Sequence, residues 1–199
     1  MNIIWHGHSC FEITGKDGTI VFDPYQANSV PGLNSLKLKA NLVLCSHEHD
    51  DHNARNCVEV APKDFKVTCI ETYHDHHQGS HRGKNTIHIV DFEDLKVVHM
   101  GDIGCMMDDV SKLKNCDVLM IPIGGYYTID TKEALKYIER IKPRIVIPMH
   151  YHSYEFGYDV LSTNEEFIQQ SSSVTYVDDC LEVNKDTKTQ TVVFKKPRN

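Results

Sequence analysis

The sequence has no apolar run near the ~20 residues that a membrane-spanning helix requires, which argues against a membrane protein. It opens Met1-Asn2-Ile3-Ile4-Trp5-His6 without a basic region followed by an apolar stretch, so this segment reads as a first strand and not a secretion signal. Basic blocks are also scarce. Lys and Arg number 21 against 28 Asp and Glu, a net charge of -7. That balance disfavours nucleic-acid partners, because such binding depends on Lys and Arg neutralising phosphates. Lys195-Lys196-Pro197-Arg198 reads as a solvated tail. No C-x-x-C pair occurs among Cys10, Cys45, Cys57, Cys69, Cys105, Cys116 and Cys180. An odd number of scattered thiols, several in apolar runs, points to free cysteines in a reducing cytoplasm. Long linkers, repeats and low-complexity segments are missing too. The 199 residues therefore read as one domain, 1–199.

Histidine is what the sequence has in excess: 13 residues, clustered and not scattered. They fall within a β-rich pattern. Strands are expected at 3–5, 10–13, 19–22, 41–45, 66–70, 86–90, 96–99, 118–121, 144–147, 174–177 and 191–194, separated by turn signals such as Gly15-Lys16-Asp17-Gly18. The clearest helix runs over 131–141. Asp130 and Glu133 form a capping box, Leu135, Ile138 and Ile141 form an apolar face, and Pro143 marks the end. Further helices are expected at 53–60, 108–113 and 163–170. Many strands with interspersed helices suggest an α/β sandwich.

The decisive segment is Leu42-Val43-Leu44-Cys45-Ser46-His47-Glu48-His49-Asp50-Asp51-His52. In extended chain, residues two apart point the same way, so His47 and His49 can converge on one ion. Asp51 and His52 follow the turn and can face a second. Imidazole and carboxylate are ligands that zinc and similar divalent metals prefer. Three more strand-like runs end in the same kind of residue: Tyr73-His74-Asp75-His76-His77 after 66–70, His99-Met100-Gly101-Asp102, and Ile147-Pro148-Met149-His150. Taken singly, His150 or Asp102 could be an ordinary strand-end or turn residue. Together with the first motif they read as one site.

The order H-x-H-x-D-H, His, Gly-Asp, His resembles the metallo-β-lactamase-fold hydrolases, in particular the small hydrolases near the ascorbate-phosphate lactonase branch. Matching segments are Gly7-His8-Ser9-Cys10-Phe11, Arg82-Gly83-Lys84-Asn85-Thr86-Ile87, His99-Met100-Gly101-Asp102, Ile121-Pro122-Ile123-Gly124-Gly125 and Ile147-Pro148-Met149-His150-Tyr151. The resemblance implies a four-layer αββα sandwich of two mixed sheets flanked by helices, with metals at one edge. Carried over by position, one ion takes His47, His49 and His74. A second takes Asp51, His52 and His150, and Asp102 bridges them. His76 and His77 remain alternatives to His74. Zinc is the first expectation for both ions, with Mn or Fe as alternatives.

Two such ions lower the pKa of a shared water towards ~7, supplying a metal-bridged hydroxide at neutral pH. The expected activity is hydrolysis of a small phosphodiester, lactone or ester-like substrate. Asp51 can also accept a proton from the attacking water. The resemblance places His8 near the metals, facing substrate or supporting a ligand. Asp23 either orients the metal-binding loop or simply turns the chain before Pro24. Tyr127 either donates a hydrogen bond to substrate or packs. Arg82 and Lys84 are anion contacts or solvated loop residues. Cys45 and Ser46 read as strand-end packing, and His99 as structural. An RNA-processing nuclease, a non-catalytic metal-binding protein that uses the extra histidines at 76, 77 and 81, and an iron site are the competing readings. The partner expected is a small molecule; assembly into a homo-oligomer stays open.

Overall fold

A computed structural model of the chain describes residues 1–198. Its strands are β1 (Asn2–Gly7), β2 (Cys10–Gly15), β3 (Gly18–Phe22), β4 (Leu38–Ala40), β5 (Leu42–Leu44), β6 (Val58–Val60), β7 (Lys66–Tyr73), β8 (Lys84–Phe92), β9 (Leu95–His99), β10 (Val118–Pro122), β11 (Ile145–Met149), β12 (Val174–Val177), β13 (Cys180–Glu182) and β14 (Gln190–Phe194); the helices are α1 (Thr131–Ile141) and α2 (Glu165–Gln170). Two mixed sheets form, one ordered β13-β1-β2-β3-β5 and the other β12-β14-β11-β10-β9-β8-β7.

Alternation along the strands explains how the sheets stack. In β2 and β3, Phe11, Ile13, Ile20 and Phe22 enter the large core shared with the second sheet. Cys10 and Val21 point the other way, into a smaller cluster with Tyr25, Val30, Ala40 and Val58. The middle strands of the larger sheet are buried throughout, as in Val118–Pro122 and Ile145–Met149, because both their faces are covered. Helix α1 adds Ala134, Tyr137 and Ile141 to that core. The result is an α/β sandwich with few helices. No helix among the described residues is long and apolar enough to cross a membrane.

Two expected helices are absent. Over 53–60 the chain makes a 3₁₀ turn at Arg55–Cys57 and then β6, whose Val58 and Val60 pair with Leu38 and Ala40 of β4. Two β-branched residues in register with a neighbour outweigh one turn of helix. Over 108–113, Asp109 accepts the Ser111 backbone N–H at 2.7 Å, a local bond that competes with helix. The capping box of α1 forms as read, with Asp130 Oδ1 accepting the Glu133 N–H at 2.9 Å and Glu133 Oε2 accepting the Asp130 N–H at 3.1 Å. Asp130→Ala should cost about 1 kcal/mol. For a chain of this size that is a drop of about 2–4 °C in Tm by calorimetry. An unchanged Tm would show that packing alone holds the helix.

Strand direction sets the site. β1, β3 and β5 run the same way in the first sheet, and β7, β9 and β11 do so in the second. The chemistry-bearing residues all follow C-terminal strand ends: His8 after β1, Asp23 after β3, His47 to His52 after β5, His74 after β7, Asp102 after β9 and His150 after β11. Open sheets of this kind gather ligands at such ends.

Candidate metal centre

The structure brings every sequence-predicted metal ligand to one edge. His47, His49 and His74 form one group whose ligand atoms lie within 4.8 Å of one another; His8, Asp51, His52 and His150 form a second; His47, His52 and Asp102 form a third. The first two groups contain the residues that the resemblance implies for each ion, with His8 beside the second. Asp102 sits between them. Its Oδ2 is 3.1 Å from His52 Nε2, 3.4 Å from His74 Nε2 and 3.0 Å from His150 Nε2. His76 turns away, with its Nε2 2.8 Å from Glu133 Oε1, so it is His74 that meets the cluster.

Asp23 is the hub behind these groups and is fully buried. It accepts the Ser46 N–H at 2.6 Å and the Ser46 hydroxyl at 2.7 Å, and its Oδ2 lies 2.9 Å from His52 Nδ1. Ser46 Oγ lies 2.9 Å from His47 Nδ1. With its own proton given to Asp23, that oxygen accepts the His47 ring N–H. Both imidazoles therefore carry a proton on Nδ1 and turn Nε2 towards the cluster. Partners of this kind fix the tautomer and orientation of a ligating histidine. Ser46 is thus a relay and not strand-end packing. The sequence signal for Asp23 was its position at a strand end; Ser46 offered none beyond adjacency.

The turn bearing Asp102 is held from a distance. Asn85 Oδ1 accepts the Asp102 N–H at 2.8 Å, while its amide donates to the Met100 carbonyl at 3.0 Å and to Thr72 Oγ1 at 2.9 Å. Gly101 adopts φ +55°, and a Cβ there would meet Asn85 Oδ1 at 2.3 Å and Ser46 Cβ at 2.4 Å. Only glycine passes. His99 braces the same turn, with Nε2 2.9 Å from the Ser9 carbonyl and Nδ1 accepting the Gly101 N–H at 3.2 Å. His8, Asp23 and His150 adopt positive φ without being glycine. Such strain concentrates at functional sites.

Orphaned atoms test whether metal fits. Among the described residues, His47 Nε2, His52 Nε2 and Asp102 Oδ1 are buried and lack hydrogen-bond partners. The His52–Asp102 contact is close but not aligned as a hydrogen bond. Buried lone pairs left facing one another are costly unless a cation lies between them. Burial lowers the pKa of His47 to about 3 and of His8 to about 4, so both are neutral and able to ligate. Burial works the same way on His52, but Asp102, Asp51 and Asp23 hold its pKa well above the usual value.

Asp51 is flanked by His8 Nε2 at 3.3 Å and the Tyr158 hydroxyl at 3.3 Å. Although burial favours its neutral form, His52 and His8 keep it ionised. Tyr158 was not anticipated, because it lies in a loop with no motif around it. A cleft of about 300 Å³ opens here, lined by His49, Asp51, His74, Arg82, Asp102, Tyr127, His150 and Tyr158. Tyr127 forms part of the wall, its ring lying under Arg82 at 4.2 Å.

The pattern of a β-lactamase superfamily domain matches residues 2–150. The chain belongs to the β-lactamase superfamily. Within that superfamily it is 30% identical over 190 residues to the UPF0173 metal-dependent hydrolase of Natranaerobius thermophilus, covering 77% of this chain and 85% of the relative. The UPF0173 metal-dependent hydrolase of Thermoplasma acidophilum is 29% identical over 193 residues, covering 78% and 85%. A crystal structure of a metallo-β-lactamase-superfamily protein from Thermotoga maritima superposes with a TM-score of 0.75, 28% identity and 97% coverage of both chains. The family expected from the motifs is the family found, and it is one of metal-dependent hydrolases.

Proposed function

We propose that this chain hydrolyses a small phosphodiester, lactone or ester-like substrate at a two-metal centre. His47, His49 and His74 hold one ion, and Asp51, His52 and His150 hold the other, with Asp102 between them. The observation that carries the reading is Asp102 Oδ2 within 3.0–3.4 Å of three Nε2 atoms. Bound divalent ions, zinc first, supply Lewis acidity and lower the pKa of water. The chain's own residues do the rest. Asp51, fixed by His8 and Tyr158, accepts a hydrogen bond from the attacking water and orients it. A cleft of about 300 Å³ is of the size that takes a small molecule, and this supports a small substrate. Seven free cysteines fit a reducing compartment, and we place the enzyme in the cytoplasm.

A panel of phosphodiesters, lactones and thioesters, run on protein reconstituted separately with Zn, Mn and Fe, tests the activity. Turnover that requires metal and is lost in His52→Ala supports it; a metal-loaded protein inert to every bond class defeats it. A second test needs no substrate. Zinc titrated calorimetrically into metal-free protein should bind at two equivalents per chain. Binding of one equivalent or none would defeat the two-metal reading.

A further inference from the structure

We propose that Arg82 is the anion-reading residue of a two-chamber substrate site, gripping an oxyanion group of the substrate where the metal cleft meets a second cavity. The proposal deepens the hydrolase reading and rests on it for the bond that is cleaved.

The arginines themselves single this one out. The chain has five. Arg55 pairs with Glu48, Arg144 with Asp117 and Arg198 with Asp179. Arg140 donates to the carbonyls of Met107 and Asp108, both at 2.7 Å. Arg82 alone, among the described residues, spends its guanidinium on an aromatic face: its Cζ is 4.2 Å from the Tyr127 ring centroid and 6.0 Å from that of Tyr126. Stacking by the face leaves the N–H edge of a guanidinium free, and that edge fits carboxylate or phosphate bidentately.

Its position gives that edge a use. Arg82 and Tyr127 line the metal cleft together with Asp102 and His150. The same two residues line a neighbouring cavity of about 340 Å³, whose wall also carries His76, His77, His81 and Tyr126. The carboxylates around that second cavity are already engaged. Glu133 binds His76 and the Asp130 N–H. Asp75 accepts the backbone N–H groups of His77, Gly79, His81 and Arg82 at 2.7–3.1 Å. The last of these anchors Arg82 itself, so the guanidinium rides on a braced loop. Among the described residues no carboxylate pairs with the Arg82 guanidinium, although Asp51 and Asp102 line the metal cleft and Asp130 the second cavity, where it accepts the Glu133 N–H. The ligand chemistry is therefore an oxyanion, phosphate or carboxylate, attached to a body that fills the second cavity.

Inorganic phosphate and, separately, acetate titrated calorimetrically into the metal-free protein test this without turnover. At least one should bind, and which of the two does so names the group. Arg82→Gln should weaken that binding about tenfold to a hundredfold, the value of a charged bidentate contact. Arg82→Lys should recover part of it, and Arg55→Gln, at an arginine that pairs with Glu48 outside both cavities, should keep it. Equal binding by Arg82→Gln and wild type, binding by neither anion, or equal loss in Arg55→Gln would overturn the assignment. With any substrate found by the panel, Arg82→Gln should raise KM more for an anionic compound than for its neutral analogue. An inert panel with intact phosphate or acetate binding would remove the hydrolase reading and leave the anion site standing.

Discussion

Asp102→Ala is expected to lower kcat/KM by about a thousandfold or more and to leave a folded protein that no longer holds two metal equivalents. The Asp102 carboxylate is 1% exposed and meets three imidazole nitrogens within 3.4 Å. It lies between both histidine groups, so in the proposed two-metal centre its loss would weaken both ions together. An effect of several kcal/mol on charge stabilisation corresponds to about three orders of magnitude in rate. Asp102→Asn keeps the shape but not the charge and should lose nearly as much. The measurements are metal content after desalting, kcat/KM and circular dichroism. Two retained equivalents with full activity would remove Asp102 from the centre.

Asp23→Ala should destabilise the metal-free protein by about 3–5 kcal/mol, because removing one partner of a buried ionic network strands the others. The stranded groups are the Ser46 N–H, the Ser46 hydroxyl and His52 Nδ1. Metal affinity should fall about tenfold to a hundredfold as well, since His47 and His52 lose the support that orients them. The pH dependence has a definite sign. Burial would raise the Asp23 pKa, but the His52 imidazole holds it well below the usual range. A depressed pKa contributes stability that is full above the unfolded value of about 4 and is lost as pH falls towards the folded one. The gap between wild type and Asp23→Ala should therefore narrow below about pH 4 in denaturant melts. A gap that stays constant down to about pH 2 would mean the cost is steric, not ionic.

The residues that gather at the candidate centre were legible because each has a local signature. An apolar strand such as Leu42–Leu44 or Ile145–Met149 stops, and the next polar side chain stands at the rim. The pairing of strands that gathers those rims was implied by the family resemblance and not by periodicity. The supports were illegible because they act across the sequence. Asn85 holds a turn 17 positions away, and Tyr158 reaches Asp51 across 107. Nothing beside either residue announces its partner. His76 and His77 could not be told from His74 by spacing. What separates His76 is Glu133, 57 positions away, which draws that ring out of the cluster, while the His77 ring packs against His81. The absent helix at 53–60 failed for a related reason: a short segment takes the form its neighbour offers, and β4 offers a strand.

The braced segment between Asp75 and Arg82 has an evolutionary consequence. Four of its backbone N–H groups end on one carboxylate, and the Gly83 N–H closes on the Gly79 carbonyl at 2.9 Å. His77 and His81 give the brace only their backbone N–H groups, so their side chains can vary while the edge keeps its coordinates, provided Asp75 and Gly79 stay. The wall of the second cavity can thereby change by point substitution without disturbing the histidine cluster.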